Sequence, residues 1–468
     1  MLNSTTVARI LKGRLLGSKD IVPAGCTIDS RSIIGGEIFF ALAGEKVDGH
    51  DYVCDAFKKG ISIAIGEEER FKALGGIPEV PEGKALILVD SSIDALQELA
   101  KSWRFALGSK VVAITGSNGK TTTKDMVAAV LSTKFKVHKN KENFNNELGL
   151  PLTILTAPAD SEILVLEMGM RGLGQIKALC EIAQPDTGVI TNIGTTHLEL
   201  LGSQERIAQA KWELVDSLPT HGVAIINSED EWSAFKAQTD SHPKLFYGLR
   251  GKYAAPEVCG VNLQPEGIMG TSFQVNWKDE TAQASLPLPG EHNVLDALAA
   301  LAVGVIYGIS LEEGCIGLKG LELSKMRLEI KPGIMGSTLI SDVYNANPTS
   351  MKASLQVLKE RAEENTLAIL GEMYELGESS EQGHFEVGME VANLGINELV
   401  TVGELAEHIA RGAINSGFPI ERVHITSNRE EAVLKAKQVL NRLGVTPWVL
   451  IKGSRGMKME EITAALLN

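Results

Sequence analysis

The sequence predicts an α/β protein of three domains, and three observations lead to that prediction. The chain has 468 residues, which at roughly 150 residues per domain suggests about three domains. Apolar, β-branched runs alternate with stretches of helical apolar spacing between residues 111 and 226, and again between 338 and 451. This alternation predicts parallel sheets that are covered by helices on both faces. Before residue 90 the chain holds short strand-like runs and turns, which predict a smaller N-terminal α/β domain.

We therefore place the domains at residues 1–90, 91–312 and 313–468. The first domain has predicted strands at 37–42, 62–65 and 85–89. The second domain begins with a predicted helix at 94–105 and has strands at 111–114, 163–166, 187–193 and 223–226. Helices are predicted between those strands, near 121–131, 173–183 and 205–218.

The end of the second domain and the whole third domain differ in pattern. Residues 247–288 alternate as an antiparallel addition, and a helix at 293–308 closes the second domain. Predicted strands in the third domain lie at 338–340, 367–370, 398–402 and 448–451, with helices between them. We infer a second doubly wound sheet there.

Composition excludes several classes of protein. The net charge is 45 − 59 = −14, so general nucleic-acid binding is disfavoured because the phosphate backbone would repel the chain. The five cysteines are scattered and form no Cys-x-x-Cys pair, which indicates free thiols in a reducing cytoplasm. The N-terminus lacks the apolar core of a signal peptide. The longest apolar stretch, 297–311, is too short to cross a bilayer, and we interpret it as a buried helix.

The strongest motif is TGSNGKTTT at 115–123, between a predicted strand and a predicted helix. Glycines let backbone N–H groups approach phosphate oxygens, and the helix N-terminus adds positive potential. The predicted nucleotide-binding residues are Gly116, Ser117, Asn118, Gly119, Lys120, Thr121 and Thr122. Lys120 would contact the β and γ phosphates of ATP, and the Thr121 hydroxyl would bind Mg²⁺. Ile114 stands where the common motif has its first glycine, so this loop is a shortened version.

Three polar residues suggest a metal site beside this loop. Glu167 ends an apolar strand, where a carboxylate faces the ligand crevice and suits Mg²⁺. His197 follows the next strand at the same sheet edge, although a lone loop histidine is more often structural. Lys211 lies on the following helix, and its position alone does not exclude an ordinary solvated lysine.

Three further polar clusters lie where two facing sheets would present their crevice edges. They are residues 288–293, 325–327 and 342–348. Taken singly, each is also compatible with a helix cap or a turn.

Together these motifs resemble those of the Mur ligase family, and the match runs through the whole chain in order. The motifs are TGSNGKTTT, Glu167, His197 with Lys211, EHNVLDALAA from 291, KMRLE from 325 and DVYNANP from 342. Within the family, DVYNANPTSM and the LGEMYELG stretch from 370, with His384, resemble the branch that acts on UDP-N-acetylmuramoyl-tripeptide and D-alanyl-D-alanine.

The resemblance implies a UDP-sugar-binding N-terminal domain, a central P-loop ATPase domain and a Rossmann-like C-terminal domain. It also implies a cytoplasmic, ATP-dependent amide ligase that works through an acyl phosphate in peptidoglycan precursor synthesis. The expected cofactors are ATP and Mg²⁺, and we expect a monomer.

The same resemblance implies roles for individual residues. Thr121 and Glu167 would hold one Mg²⁺ and His197 a second. Lys211 completes the predicted metal ligands, since relatives carry a carbamate at this position that helps to position metal. Asn293 would contact adenine, Asp342 the ribose, and Arg327 the phosphates after domain closure. Lys120, His197, Lys211 and Arg327 are the expected catalytic residues. For substrates, the candidates are Asp29, Ser30, Arg31, Asn345 and Asn347, with weaker support for Lys452, Ser454 and Arg455.

Three alternatives remain at this point. One is another amide ligase of the same family, which adds a single amino acid. Another is a nucleotide-driven switch or transport ATPase, because a phosphate loop alone indicates only nucleotide binding. The third is a non-catalytic protein that binds a UDP-sugar.

Overall fold

The computed structural model describes residues 2–44, 47–141, 143–266, 270–322, 324–362, 364–444 and 446–468. These residues form three sheets in chain order, each flanked by helices. The predicted α/β class with three domains is thus confirmed. Among the described residues, no helix combines the length and apolarity that a membrane crossing requires.

The N-terminal sheet has five strands in the order β1-β5-β4-β3-β2. Its strands are β1 (Arg14–Gly17), β2 (Cys26–Thr27), β3 (Ile38–Phe40), β4 (Ile63–Glu67) and β5 (Ala85–Val89). Its helices are α1 (Ser4–Ile10), α2 (Val53–Lys58) and α3 (Glu68–Ala73). The helix α4 (Ser92–Leu107) then leads into the central domain. Ser91 caps α4 by accepting the N–H of Asp94, and left-handed Gly108 ends it.

The central sheet has nine strands in the order β14-β13-β12-β11-β10-β9-β6-β8-β7. They are β6 (Lys110–Thr115), β7 (Val137–Lys139), β8 (Ile163–Glu167), β9 (Thr187–Ile190), β10 (Val223–Asn227), β11 (Lys244–Gly248), β12 (Val258–Glu266), β13 (Gly270–Trp277) and β14 (Glu280–Leu286). Strands from β7 to β12 run parallel, and β13 and β14 add antiparallel. The antiparallel addition therefore begins later than residue 247, because β11 and β12 still pair in parallel. Residues 267–269 of that predicted stretch lie outside the described residues.

The central helices are α5 (Lys120–Leu131), α6 (Gly149–Leu155), α7 (Gln175–Ala183), α8 (Leu198–Leu201), α9 (Gln204–Asp216), α10 (Glu231–Thr239), α11 (Glu291–Ile306) and α12 (Leu311–Lys319). Alternate residues of β6 enter two different cores, with Val112 and Ile114 in one and Val111 and Ala113 in the other. The apolar stretch 297–311 is not one helix. Helix α11 ends within this stretch, at Ile306, and α12 begins at Leu311. The break lies at Gly308, which adopts φ +71°.

The C-terminal sheet has six strands in the order β15-β16-β20-β17-β18-β19. They are β15 (Glu329–Pro332), β16 (Thr338–Asp342), β17 (Thr366–Gly371), β18 (Glu398–Val402), β19 (Val423–Thr426) and β20 (Trp448–Lys452). All are parallel except β15, which pairs antiparallel with β16. Its helices are α13 (Pro348–Arg361), α14 (Ser380–Asn393), α15 (Glu407–Asn415), α16 (Arg429–Leu443) and α17 (Glu460–Leu466).

Candidate active site

A cleft of about 970 Å³ lies between the central and C-terminal domains. On the central side, its wall is built where β6 ends between the parallel neighbours β8 and β9. Ligands of open α/β sheets bind outside the carboxyl ends of such strands. On the other side, the wall comes from the segments that follow β16, β17 and β20. The cleft is therefore positioned by the two sheets together.

The glycine loop connects β6 to α5 under tight packing. Gly119 adopts φ +80°, a conformation that residues with a Cβ rarely adopt, and a Cβ there would collide with Oδ1 of Asp296. A Cβ at Gly116 would collide with Oγ1 of Thr191. Both glycines are thus required by the neighbouring strand and helix, as well as by any approach of the backbone to a phosphate.

Lys120, the first residue of α5, turns back over this loop. Its Nζ donates to the carbonyl oxygens of Gly116 at 2.7 Å and Ser117 at 3.3 Å. Burial lowers the pKa of Lys120; the charge of Glu167 opposes that shift, while Arg327 adds to it. The ammonium is therefore held at the mouth of the loop, as its predicted contact with phosphates requires.

Thr121 and Glu167 meet as the sequence predicts. Thr121 Oγ1 donates to Glu167 Oε2 at 2.7 Å, and both residues are buried. The other carboxylate oxygen, Oε1, accepts a hydrogen bond from Nδ2 of Asn145 at 2.7 Å. Sequence reasoning missed Asn145, although the asparagine-rich stretch 143–146 before α6 was an available signal.

Lys211 on α9 lines the same cleft and is only 2% exposed. It is therefore not the solvated helical lysine of the alternative interpretation. Its ammonium forms no hydrogen bond or ion pair with any residue that the structure describes. Burial lowers the pKa of Lys211 well below its ordinary value, and the charge of Lys120 acts in the same direction.

His197 adopts a left-handed conformation with φ +66° and precedes α8. Its Nδ1 lies 2.8 Å from Oε2 of Glu375, which belongs to the C-terminal domain. The neighbouring His197 ring lowers the pKa of Glu375. The pair joins the two domains, so metal binding by this nitrogen would require it to exchange its partner.

The donor set at Thr121 and Glu167 fits Mg²⁺, which prefers oxygen ligands and takes few of them from protein. A protonated Lys211 does not fit, since an ammonium would repel the ion, whereas a carbamate on its nitrogen would supply oxygens. Among the residues with described positions, no cluster of three His, Cys, Asp or Glu side chains could hold a metal without such help.

The C-terminal domain reaches the loop through two residues. Arg327 donates from Nη2 to Thr121 Oγ1 at 2.9 Å, and its guanidinium lies over the ring of Tyr344 at 4.3 Å. Asn347 donates from Nδ2 to Asn118 Oδ1 at 2.6 Å. These contacts define a closed arrangement of the two domains.

Other predicted residues also line the cleft. Asp342, at the end of β16, is paired with Lys452, at the end of β20, and accepts a hydrogen bond from Ser354 at 2.8 Å. Asn293 is buried and donates from Nδ2 to the carbonyl oxygen of Pro289 at 2.6 Å. The remaining predicted residues that line it are Thr122, Asn345, Ser454 and Arg455.

Asp29, Ser30 and Arg31 are not brought into this cleft. They lie in the N-terminal domain after β2, where Arg31 Nη2 pairs with Asp29 Oδ2 at 2.8 Å. The hydrogen bond from Arg31 lowers the pKa of Asp29 to about 2. Lys59 Nζ donates to the carbonyl oxygen of Ser30 at 2.8 Å. Any role of this group therefore belongs to a different part of the molecule.

Comparison with known proteins gives the same picture over the whole chain. Three domain families match: "Mur ligase family, catalytic domain" at 24–104, "Mur ligase middle domain" at 114–304 and "Mur ligase, glutamate ligase domain" at 326–455. The UDP-N-acetylmuramoyl-tripeptide–D-alanyl-D-alanine ligase of Bacillus subtilis (strain 168) is 38% identical, covering 99% of this chain and 97% of the relative. The ligase of that name from Escherichia coli (strain K12) is 32% identical over 98% and 96%.

Solved structures agree with these relatives. A crystal structure of MurF from Acinetobacter baumannii superposes with a TM-score of 0.86 at 29% identity, covering 98% of this chain and 97% of that one. MurF ligase from Thermotoga maritima in complex with ADP gives a TM-score of 0.79 at 27% identity, covering 96% and 98%. The chain belongs to the Mur ligase family.

Proposed function

We propose that this protein joins D-alanyl-D-alanine to UDP-N-acetylmuramoyl-tripeptide, using ATP and an acyl-phosphate intermediate, in peptidoglycan precursor synthesis. The observation that carries the proposal is the cleft itself. It sets the phosphate loop of one domain against Arg327 and Asn347 of the other. The full-length similarity to ligases of that name supports the choice of substrates.

The reaction needs an activated carboxylate. The terminal carboxylate oxygen of the tripeptide forms a bond to the γ-phosphorus of ATP, and ADP leaves. The amine of the dipeptide then attacks the acyl carbon, and phosphate is expelled from the tetrahedral intermediate with loss of the amine proton. Closure excludes water from the acyl phosphate, which would otherwise hydrolyse.

The chain's own residues supply positive charge around the transferred phosphoryl group. Lys120 lies at the mouth of the loop and Arg327 faces it from the other domain. Nε of Arg327 is buried and has no hydrogen-bond partner among the residues with known positions. A buried, unpaired guanidinium nitrogen indicates an anionic partner such as phosphate.

Bound Mg²⁺ would neutralise phosphate charge during the transfer, and Thr121 and Glu167 would hold it. Carbamylation of Lys211 would add oxygen ligands, and His197 would contribute after leaving Glu375. Burial of an unpaired amine supports the carbamate, because only the neutral amine reacts with CO₂.

The remaining roles complete the proposal. Asn293 contacts adenine and Asp342 the ribose. The dipeptide is bound by Asn345 and Asn347, with Lys452, Ser454 and Arg455 nearby. Asp29, Ser30 and Arg31 bind the uridine diphosphate in the N-terminal domain, outside the ATP cleft. The enzyme would act in the cytoplasm, and we propose that it is a monomer; one chain supplies both walls of the cleft, so the site needs no second subunit.

Phosphate release measured with ATP, Mg²⁺, UDP-muramoyl-tripeptide and D-alanyl-D-alanine tests this function. Release should require both substrates, with ligated product in equal amount. Turnover with a single amino acid in place of the dipeptide would identify another ligase of the family. Hydrolysis without any acceptor would identify a switch or transport ATPase.

Lys120→Ala should lower turnover by about 100-fold or more, since it removes a charge aimed at the transferred phosphoryl group. Lys110→Ala is the matched control. Lys110 lies at the start of β6, the strand that leads into the loop. It is exposed and pairs with Asp186 at 2.8 Å, so its loss should change the rate little.

A further inference from the structure

A buried ion pair lies on α5, one helical turn beyond the glycine loop. Lys124 is 0% exposed and its neighbour Asp125 is 1% exposed. Lys124 Nζ lies 3.4 Å from Asp125 Oδ1, and Lys139 Nζ reaches the same oxygen at 2.6 Å. Burial alone would raise the pKa of Asp125, but the two lysines hold it below its ordinary value. A buried charge lowers the stability of the fold unless partners of opposite charge or hydrogen-bond donors are held in place beside it.

The second carboxylate oxygen of Asp125 holds the segment that connects the central and C-terminal domains. Asp125 Oδ2 accepts the backbone N–H of Ser324 at 2.8 Å. Lys124 Nζ donates to Ser324 Oγ at 3.4 Å and to the carbonyl oxygen of Asn140 at 3.1 Å. Ser324 lies between α12, the last central helix, and β15, the first C-terminal strand. The interdomain segment is thus tied to the phosphate-loop helix.

The same helix meets this segment a second time. Arg327 follows Ser324 by three positions and donates to Thr121 Oγ1 at 2.9 Å. Thr121 and Asp125 are four residues apart, so they lie on one face of α5. Three extended residues span at most about 10 Å, so the position of Ser324 restricts where the guanidinium of Arg327 can lie.

We propose that Asp125 is a positioning residue: by fixing Ser324 against α5, it places Arg327 at the phosphate site when the domains close. Ser324 then stays with α5 when the C-terminal domain moves, and the hinge lies after it. The short chain between Ser324 and Arg327 limits how far the guanidinium can lie from the phosphate site. Asp125 does not itself line the cleft between the two domains. This inference rests on the proposed ligase function, because ligation is its readout.

The experiment is a kinetic double-mutant cycle in the full-length enzyme. Ser324→Pro removes the N–H group from which Asp125 accepts a hydrogen bond. Asp125→Asn keeps the size but replaces one acceptor oxygen by an NH₂ group, so it cannot accept from both Lys139 and Ser324. Each should lower kcat about 10-fold while the KM for ATP changes less than about 2-fold. Combined with Arg327→Ala, neither should lower kcat further, because Asp125 acts through that guanidinium.

Two matched controls separate positioning from general damage. Ser324→Ala keeps the backbone N–H and loses only the long 3.4 Å contact, so it should stay within about 2-fold of the parent. Lys139→Ala removes a charge partner of Asp125 but leaves the hydrogen bond to Ser324, so kcat should likewise change little. Thermal unfolding checks that every variant is folded.

The inference would be overturned if kcat of a double variant fell by the product of the two single losses, that of Arg327→Ala and that of Asp125→Asn or Ser324→Pro. Full activity of folded Asp125→Asn and Ser324→Pro would also overturn it. If one of these two does not fold, the other decides. An inactive parent enzyme would instead contradict the proposed ligase function. In that case the same variants still test the inference, by whether they weaken ATP-dependent compaction measured by small-angle scattering.

Discussion

Arg327 donates to Oγ1 of Thr121 across the domain boundary, at 2.9 Å and 206 positions away in the chain. Thr121 in turn donates its hydroxyl proton to Glu167 at 2.7 Å. The Thr121 hydroxyl therefore accepts a hydrogen bond from the C-terminal domain and donates one within the central domain. A single threonine thus connects the guanidinium of Arg327, from the C-terminal domain, with the predicted metal carboxylate.

Arg327→Lys should lower kcat by about 10-fold, although the charge is kept. Lysine lacks the planar, forked set of donors and loses the stacking on Tyr344, so it cannot contact Thr121 and a phosphate oxygen together. Steady-state kinetics at saturating ATP measure the change. Wild-type kcat in the lysine variant would show that only positive charge matters at this position.

Asn145→Ala should raise the Mg²⁺ concentration that gives half-maximal rate by about 10-fold, as loss of outer-shell partners does elsewhere. The reason is that Glu167 Oε1 loses its 2.7 Å donor and the carboxylate becomes free to rotate. A Mg²⁺ titration of the initial rate measures this. The rate at saturating Mg²⁺ should return close to that of the parent, whereas an unchanged Mg²⁺ dependence would contradict the assignment.

Lys211→Met should lower ligation by about 10-fold or more, yet raise the thermal unfolding midpoint by a few degrees in CO₂-free buffer. Methionine fills a similar volume and removes the penalty of burying an unpaired amine. Calorimetry and the ligation assay measure the two effects. Lys177→Met, on the exposed side of α7, is the matched control for both.

The carbamate has its own test. Wild-type enzyme in ¹³C-labelled bicarbonate should show a carbamate signal by NMR that Lys211→Met lacks. A lower unfolding midpoint for Lys211→Met in CO₂-free buffer would mean that the free amine is stabilising, and would count against this account.

His292 should make the protein less stable in mild acid. Burial lowers the pKa of His292 to about 4 from an ordinary 6.5. Between those pH values His292 is protonated in the unfolded chain but neutral in the folded protein. The free energy of unfolding therefore falls as the pH drops from 6.5 towards 4. Because the ring keeps some solvent contact, we expect His292→Gln to reduce the loss between pH 7 and pH 5 by on the order of 1 kcal/mol.

Urea unfolding at the two pH values measures this effect. The exposed His221→Gln is the matched control and should leave the pH dependence as it is. An equal loss of stability in His292→Gln and the parent would show that this ring does not titrate differently on folding.

Local patterns explain why much of the site was predictable. The glycine loop, the strand-end Glu167 and the predicted strands depend on residue spacing along one segment, and each predicted strand overlaps an observed one. The strands β1, β2, β7, β11, β15 and β19 were not predicted. Small differences occur at ends: the strand predicted at 187–193 stops at Ile190, because the next residues turn to bind the loop.

The sequence by itself therefore determined the α/β class, the alternation of strands and helices and the family, because period, turn residues and motif order are written along the chain. Only the tertiary structure decided that His197 pairs with Glu375, that Asn145 holds Glu167 and that Asp125 holds Ser324. It also decided that Lys211 is buried. Two of these contacts join different domains or the segment between them, and Asn145 reaches Glu167 from another loop. Such pairs depend on how packed sheets meet in space, and no periodicity within a single segment records that.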